Sequence, residues 1–494
     1  MKIMLINPKI PVYLRMPSIP LGPVSIASYL NAHGHRAIII ERSVKAYDLR
    51  AELKRFQPDV IGVSCLSFLS SIDAKRITAF LHRHTNTPVI WGGQAPSAAP
   101  ELILRDGKPD FVMLGEGEIT WLAVANALRE GKPLFDIPGL AYLREGAFVS
   151  NPVPPVADLF RFPEMDWSLV DPKKYFSTFF HCSKMLYLHA SKGCPAACIF
   201  CSNKQYHQSC NRCRDPKHVL NDIDRFVLDY GCDGIYFSDE LFCPRRELRT
   251  MLCEGLISRR YELVWGCQMR LGVLNEEDVK LMYRAGCRWI LFGIESGSRE
   301  RIDAIKKHID LNLARQTIKW CEDAGITVQA SFIIGFPGET CEEMRKTVSF
   351  AQSLHSSLVA MNILTPMPNS EIYEIWDRDF PQYQKPDSIK AIARRIEQNV
   401  TDLVPWNFSN VPMRELRVVH FFYQWKDFAG KSSVRGDSYG ILKKMAQDAF
   451  NRIFLHGFSG FIFGTVVSVK QFLTVFFYSH CFPRILKKYG LRLR

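Results

Sequence analysis

Two series of strand-and-helix alternation set the limits on what this chain can fold into. In the first, the apolar runs "KIMLINP", "RAIIIE", "DVIGVSCL", "PVIWGG" and "DFVMLGE" alternate with amphipathic stretches over the first 130 residues. Runs that are apolar at nearly every position suit strands covered on both faces, so the pattern predicts five parallel strands, each followed by a helix. That is a doubly wound, Rossmann-like α/β sheet over residues 1–145. The proline-rich passage "NPVPPVADLFRFPEMDW" breaks the alternation and reads as a linker, over 146–183. A second series runs from "MLYLHAS" through "GIYFSDE", "ELVWGCQMR", "WILFGIES" and "VQASFIIGFPGE" to "LVAMNILTPMP". Six such units are too few for a closed eight-fold barrel and enough for an open, partial (β/α)6 barrel over 184–375. From 376 to 494 the pattern is mostly helical and irregular, and this region is expected to cap the barrel and shape a substrate pocket.

Open α/β sheets bind ligands beyond the carboxyl ends of their strands. The loops expected there carry Ser64, Ser67, Gly92 and Gly93, and the run Gly115, Glu116, Gly117, Glu118. Turn formation alone would account for any one of these glycines. In the second series the first strand leads into "SKGCPAACIFC", which places Cys194, Cys198 and Cys201 in a C-x3-C-x2-C spacing. The chain has 15 cysteines and opens without a secretory signal pattern. They are expected in a reducing, cytoplasmic compartment, as core residues, metal ligands or reactive thiols. Three thiolates on one loop leave several readings open. A structural zinc wants four ligands, and Cys210 and Cys213 form a further C-x2-C pair. A four-iron cluster on three cysteines keeps one iron open to chemistry. Core packing of all three is a further reading, ranked below zinc, although most of the other cysteines are expected to be core residues. The excess of 63 Lys+Arg over 50 Asp+Glu gives a formal charge of +13 and suits an anionic partner. The basic residues are scattered through amphipathic stretches instead of gathered in one arm, so nucleic acid is not expected.

The cysteine spacing, with Phe200 directly before Cys201 and the first strand of a partial barrel directly before the loop, resembles the radical S-adenosylmethionine superfamily. Other strand ends match it in order: Asp239 and Glu240 after the second strand, Gln268 and Arg270 at the third, Glu295 and Ser296 in "GIESGS" at the fourth, and Gly335 in "FIIGFPGET" at the fifth. The resemblance implies that Cys194, Cys198 and Cys201 hold a 4Fe–4S cluster. It implies that the acidic pair lies near the methionine amino group of S-adenosylmethionine, Glu295 and Ser296 near its ribose and carboxylate, and the Gly335 backbone near adenine. With the "GGQAP" and "GEGE" loops of the first sheet, the chain resembles the cobalamin-binding class of that superfamily over roughly residues 1–375. Ser64, Ser67, Gly92, Gly93, Gly115, Glu116, Gly117 and Glu118 are then the implied cobalamin contacts. The loop after the first strand reads "NPKIPVY" and lacks the Asp-x-His-x-x-Gly element, which implies cobalt without a protein histidine beneath it.

The resemblance further implies a reaction: hydrogen abstraction by a 5′-deoxyadenosyl radical, then methyl transfer from methylcobalamin to an unactivated carbon of a small-molecule or lipid-like substrate. An external electron donor of the flavodoxin or ferredoxin type would be needed. A cobalamin-dependent cyclase or ring-rearrangement enzyme would use the same cofactors. A cobalamin-binding sensor and a zinc-stabilised nucleic-acid module are the readings from other classes. The methylthiolating branch is disfavoured, because residues 1–145 offer only Cys65. The tail "FGTVVSVKQFLTVFFYSHCFPRILKKYGLRLR" is aromatic, interrupted by Lys470 and basic at its end, and falls short of a spanning helix. It suits either a segment lying on an anionic bilayer, at the inner membrane face, or a helix that caps the barrel.

Overall fold

The computed structural model describes residues 1–10, 18–45, 47–179, 182–354, 356, 358–383, 385–400, 407–420, 422–423 and 482–491. The chain forms two compact units. The first comprises Met1–Pro11, Arg15–Trp265 and Met367–Arg394, and the second Val12–Leu14, Gly266–Pro366 and Arg395–Arg494.

In the first unit, β1 (Lys2–Asn7), β2 (Arg36–Glu41), β3 (Val60–Ser64), β4 (Val89–Gly92) and β5 (Phe111–Met113) make a parallel sheet in the order β2-β1-β3-β4-β5. The strands are buried along nearly their whole length, with Ile3, Met4 and Ile6 fully enclosed, as their unbroken apolar runs require. The helix Glu118–Arg129 presses Trp121 onto the sheet so closely that a Cβ on Gly62 would lie 2.6 Å from its ring. Two antiparallel strands, β6 (Leu140–Arg144) and β7 (Ala147–Ser150), extend the sheet past the 145 boundary read from the sequence. Glu145 and Gly146 both have positive φ, the hairpin turn that such a strand pair favours.

The proline-rich passage connects more than a linker would. Trp167 is fully buried and donates through Nε1 to Asp222 at 2.7 Å; Asp222 also pairs with Arg214 at 2.7 Å. One residue earlier, the Asp166 N–H donates to Ser28 Oγ at 2.8 Å. The passage therefore ties the helix Leu21–Ala32 to the helix Pro216–Leu228.

The second series forms as the sequence predicts. In the first unit β8 (Ser177–Phe179) pairs antiparallel with β9 (Cys182–Leu188), which is followed by β10 (Ser191–Lys192), β11 (Arg212–Cys213) and β12 (Gly234–Phe237), the last parallel to β9. The strand β13 (Val264–Met269) crosses the division. The second unit holds the parallel strands β14 (Cys287–Glu295), β15 (Thr327–Ile334) and β16 (Leu358–Ile363). The helices Glu276–Arg284 and Cys341–Ser353 open on capping boxes, Asn275 with Asp278 and Thr340 with Glu343, each pair exchanging side-chain and backbone bonds. The chain is thus α/β: a parallel-rich sheet, then the strand series of a half-barrel, then a helical C-terminal part.

The tail segment from 463 to 481 lies outside the described residues. Just beyond it, the helix Phe482–Lys488 belongs to the second unit, where Lys488 pairs with Glu415 at 2.8 Å and Tyr489 donates to the same carboxylate at 2.6 Å. Ile485, Leu486, Tyr489 and Leu491 are buried, so this stretch is packed into protein. Among the described residues no helix is long and apolar enough to cross a membrane.

Candidate active site

The three cysteines occupy a loop whose base is the short antiparallel ribbon of β10 and β11, with Ser191 opposite Cys213 and Lys192 opposite Arg212. The Asn211 amide closes the mouth, donating to the Gly193 carbonyl at 2.7 Å. Inside, the Cys201 N–H turns back to the Cys198 carbonyl at 3.2 Å, and the short helix Asn203–Tyr206 follows. Cys198 is buried, while Cys194, Phe200 and Cys201 are half-buried; none of the thiols is in a disulfide. The Ile372 N–H donates to the Ile199 carbonyl at 3.2 Å, bracing the loop from the segment after β16.

A buried ion network fastens this loop to the carboxyl edge of the N-terminal sheet. Glu116, in the loop after β5, takes a two-pronged interaction from the Arg212 guanidinium and a 2.7 Å hydrogen bond from His207 Nδ1. The other face of the imidazole, Nε2, reaches Glu240 Oε1 at 3.1 Å, and Glu240 Oε2 accepts the Gly193 N–H at 2.9 Å. Beside them Lys192 donates to Glu118 at 2.7 Å, and Glu118 accepts Ser25 Oγ at 2.6 Å. Burial would push the Glu240 carboxyl up, but the His207 hydrogen bond and charge hold it down at about 2. Glu116 is likewise held well below the ordinary carboxylate range against its burial, by His207, Lys192 and Arg212. Burial opposes the charge on His207 too, yet its two carboxylate partners raise it to about 9. Both ring nitrogens face carboxylates, so the imidazole donates from both and is cationic.

Asp239 and Glu240 adjoin in sequence but face different surroundings. Asp239 has no exposed surface; it accepts the Ser191 N–H and, at 3.4 Å, the Ala190 N–H, and burial raises its carboxyl to about 8. Its role in this arrangement is to hold β10, directly before the cysteine loop. Of the acidic pair, Glu240 alone keeps part of its side chain accessible, 20%. Glu116 and Glu118 are also committed, their carboxylates spent on Arg212, His207 and Lys192.

In the second unit the strand-end residues form their own set. Glu295 sits at a bulge of β14 with φ +70° and accepts Lys307 Nζ at 2.8 Å. Arg270 donates to the backbone carbonyls of Lys307 and, at 3.2 Å, His308, so Arg270 and Glu295 meet through one lysine. Ser296 is fully buried and shares a 2.9 Å bond with Thr347 Oγ1, which makes it a packing partner of the helix Cys341–Ser353. Gln268 is half-buried on β13.

Gly335 directly follows β15 with φ +87°, a conformation glycine adopts without strain, and its N–H donates to Glu339. Glu339 has no exposed surface, and burial raises its carboxyl to about 7 although the Gly335 and Phe336 N–H groups and Arg301 pull the other way. A carboxyl with a raised folded pKa makes the folded state bind more protons than the unfolded one between 4.5 and about 7. Its contribution is therefore most favourable below that window and is lost as the pH rises through it. Glutamine copies the protonated acid, so Glu339→Gln is expected to match the parent near pH 4.5 and exceed it above pH 7 by roughly 3 kcal/mol. Denaturant unfolding at pH 5 and pH 8 checks this; a gap that does not widen between them would mean that Glu339 ionises in the fold at no cost.

Family models match both halves of the chain. A B12 binding domain covers residues 13–125 and a Radical SAM superfamily domain covers 188–351. This chain belongs to the cobalamin-binding radical S-adenosylmethionine family. Within it, an uncharacterized methyltransferase of Pyrococcus horikoshii is 25% identical over 429 residues, covering 84% of this chain and 93% of that protein. An anaerobic magnesium-protoporphyrin IX monomethyl ester cyclase of Rubrivivax gelatinosus is 26% identical over 396 residues, covering 75% and 70%. The fold is shared with the radical S-adenosylmethionine methyltransferase TsrM of Kitasatospora setae, solved with cobalamin and a [4Fe-4S] cluster, at a TM-score of 0.65 and 18% identity over 78% of this chain and 76% of that one. The family's cofactors are cobalamin, S-adenosylmethionine and a 4Fe–4S cluster.

The residues present fit those groups. Among the described residues no three His, Cys, Asp or Glu side chains gather around one point as ligands of a single metal ion. A cluster does not ask for that, since the three thiolates of the cysteine loop would each hold a different iron of it. At the sheet, the Cys65 N–H donates to the Gly92 carbonyl at 2.8 Å, and a Cβ on Gly93 would fall 2.5 Å from the Cys65 carbonyl oxygen. The loops after β3 and β4 thus lie side by side, with Leu66 47% exposed between the half-buried Ser64 and Ser67. An apolar surface flanked by hydroxyls suits a flat macrocycle with amide arms. Gly115 and Gly117 are buried and shape the turn that delivers Glu116 and Glu118. Sequence reading missed Lys192, His207, Arg212, Lys307 and Glu339. The Glu118 and Glu116 partners of Lys192, His207 and Arg212 lie 74 to 96 residues away along the chain, whereas Glu339 bonds the nearby Gly335 and Phe336 N–H groups.

Proposed function

We propose that this member of the family transfers a methyl group to an unactivated carbon of a small-molecule or lipid-like substrate. The observation that carries the reading is the methyltransferase relative aligned with 84% of this chain. Cys194, Cys198 and Cys201 would hold the cluster, Glu240 would receive the ammonium of S-adenosylmethionine, and the Gly335 backbone would meet adenine. Phe200, Gln268, Arg270, Glu295 and Ser296 complete the proposed S-adenosylmethionine surroundings, with Asp239, Glu295 and Ser296 acting through the loops they fix. Ser64, Ser67, Gly92 and Gly93 would line the cobalamin, with the 115–118 loop as its buttress. Loaded with these groups, the site supplies reductive cleavage of S-adenosylmethionine to a 5′-deoxyadenosyl radical and a methyl donor. The chain's part is to position them and exclude water, with an external flavodoxin- or ferredoxin-type protein as electron source. Its place would be the cytoplasm, with any contact at the inner membrane face made by the tail. The cyclase relative supports a second reading, ring closure with the same cofactors.

The test is anaerobic reconstitution with iron, sulfide, cobalamin and a reductant, then incubation of the holoenzyme with methyl-labelled S-adenosylmethionine and fractionated small molecules and lipids. The expected result is 5′-deoxyadenosine together with label in a carbon-bound methyl group. 5′-Deoxyadenosine alongside an unlabelled product with a new ring would favour the cyclase.

A further inference from the structure

The imidazole of His207 is 4% exposed and lies between two carboxylates from distant parts of the first unit, Glu116 after β5 and Glu240 after β12. Glu240 in turn holds the N–H of Gly193, the residue before Cys194, at 2.9 Å. The string Glu116, His207, Glu240, Gly193 is thus continuous at 2.7, 3.1 and 2.9 Å. An ionised carboxylate accepts up to four hydrogen bonds, so Glu240 with two partners retains capacity for a further donor. What fixes the direction of that capacity is the pair of bonds already made. At the other end, Arg212 pins Glu116 through both carboxylate oxygens, so the string is anchored to the sheet.

We propose that His207 is a positioning residue for S-adenosylmethionine, aiming the Glu240 carboxylate at the ligand's ammonium group and tying that aim, through Glu116, to the sheet loop beside the cobalamin surface. The inference rests on the reading of Glu240 given above. Without the imidazolium, Glu240 keeps only the Gly193 amide and is free to rotate or to turn to another cation. The cluster thiolates belong to the loop's own ribbon and Asn211 closure, so they stay in place. Loss of His207 therefore weakens S-adenosylmethionine binding while leaving iron bound.

The experiment uses the full chain, reconstituted anaerobically, as wild type, His207→Gln and Glu116→Gln. Iron content, the paramagnetic signal of the reduced cluster titrated with S-adenosylmethionine, and KM and kcat for 5′-deoxyadenosine formation are measured. In His207→Gln iron is retained, and the S-adenosylmethionine concentration for half the spectral change and the KM both rise about tenfold, with kcat changing less, as loss of one charge-assisted contact predicts. Glu116→Gln moves the titration in the same direction by a smaller factor. A His207→Gln titration within about twofold of wild type overturns the proposal, being less than such a contact contributes. So does loss of iron from that variant, which would make His207 a support of the cysteine loop, or an unmoved Glu116→Gln. If His207→Gln does not fold, Glu116→Gln decides alone. A wild type that responds to S-adenosylmethionine and methylates nothing sinks the methylation reading and leaves this titration standing; a wild type without that response sinks the present inference.

Discussion

Replacing Cys194, Cys198 and Cys201 together by alanine is expected to leave a folded, colourless protein that no longer cleaves S-adenosylmethionine. The bonds that frame the loop are made by other groups. Its base is the β10–β11 ribbon, its mouth is closed by Asn211 on Gly193, and its flank is fixed by the Glu116, His207 and Arg212 contacts. Alanines at these positions remove ligands without removing any of those bonds. Far-ultraviolet dichroism and the unfolding midpoint of the apo protein should therefore stay close to wild type. Iron should fall to background, the paramagnetic signal should vanish, and 5′-deoxyadenosine formation should drop by at least about 10³-fold, since no electron reaches the sulfonium. Unchanged iron in the triple variant would move the metal elsewhere, and Cys210 and Cys213 would be the next ligands to test.

The parts of the architecture that were legible share one physical cause. A strand covered on both faces needs an unbroken apolar run, and "KIMLIN" or "CRWILFGIE" says so without reference to any other residue; all five sheet strands and all six barrel strands formed where the runs lie. The cysteine loop was legible for a similar reason, since three cysteines on one loop are a local spacing. What escaped was one hairpin and a set of long-range contacts. The hairpin β6–β7 carries the sheet past 145 through a two-residue turn at Glu145 and Gly146, and the proline-rich passage hides in Trp167 and Asp166 the contacts that join it to both neighbours.

The site shows the same division. Glu116, Glu118 and Asp239 were read as ligand-facing from the family resemblance of the strand ends that carry them. Here all three are satisfied by protein groups, Arg212 and His207, Lys192, and the β10 backbone respectively. A buried carboxylate needs a partner, and nothing in a sequence announces which cation 74 or 96 residues away will supply it. Ser296 was read towards the ribose, and its hydroxyl is bonded to Thr347 within the fold.

Gly193→Ala is expected to cost more than any other single methyl group added to the described glycines near the cysteine loop, and to remove iron as well as stability. Gly193 has φ +84°, and a Cβ built on it would stand 2.2 Å from the Cys210 carbonyl oxygen and 2.9 Å from His207 Cβ. The oxygen belongs to the backbone on the far side of the same loop, so no side-chain rotation relieves the clash. Relief comes from shifting residue 193 outward, which draws its N–H off Glu240 and carries Cys194 with it. Gly146 separates the two parts of the penalty. Its φ is +83° and a Cβ there would meet nothing within 4 Å. Gly146→Ala therefore reports the conformational strain alone, about 1 kcal/mol. Gly193→Ala should lose roughly 3 kcal/mol, the range of overpacking and strain combined, and should retain less than about half of the wild-type iron after reconstitution. Thermal unfolding of the two apo variants and iron analysis of the two reconstituted ones make the comparison. If Gly193→Ala were no less stable than Gly146→Ala and bound a full cluster, the loop would be pliant at its base, and the β10–β11 ribbon with its Asn211 closure could not be what holds Cys194 in register.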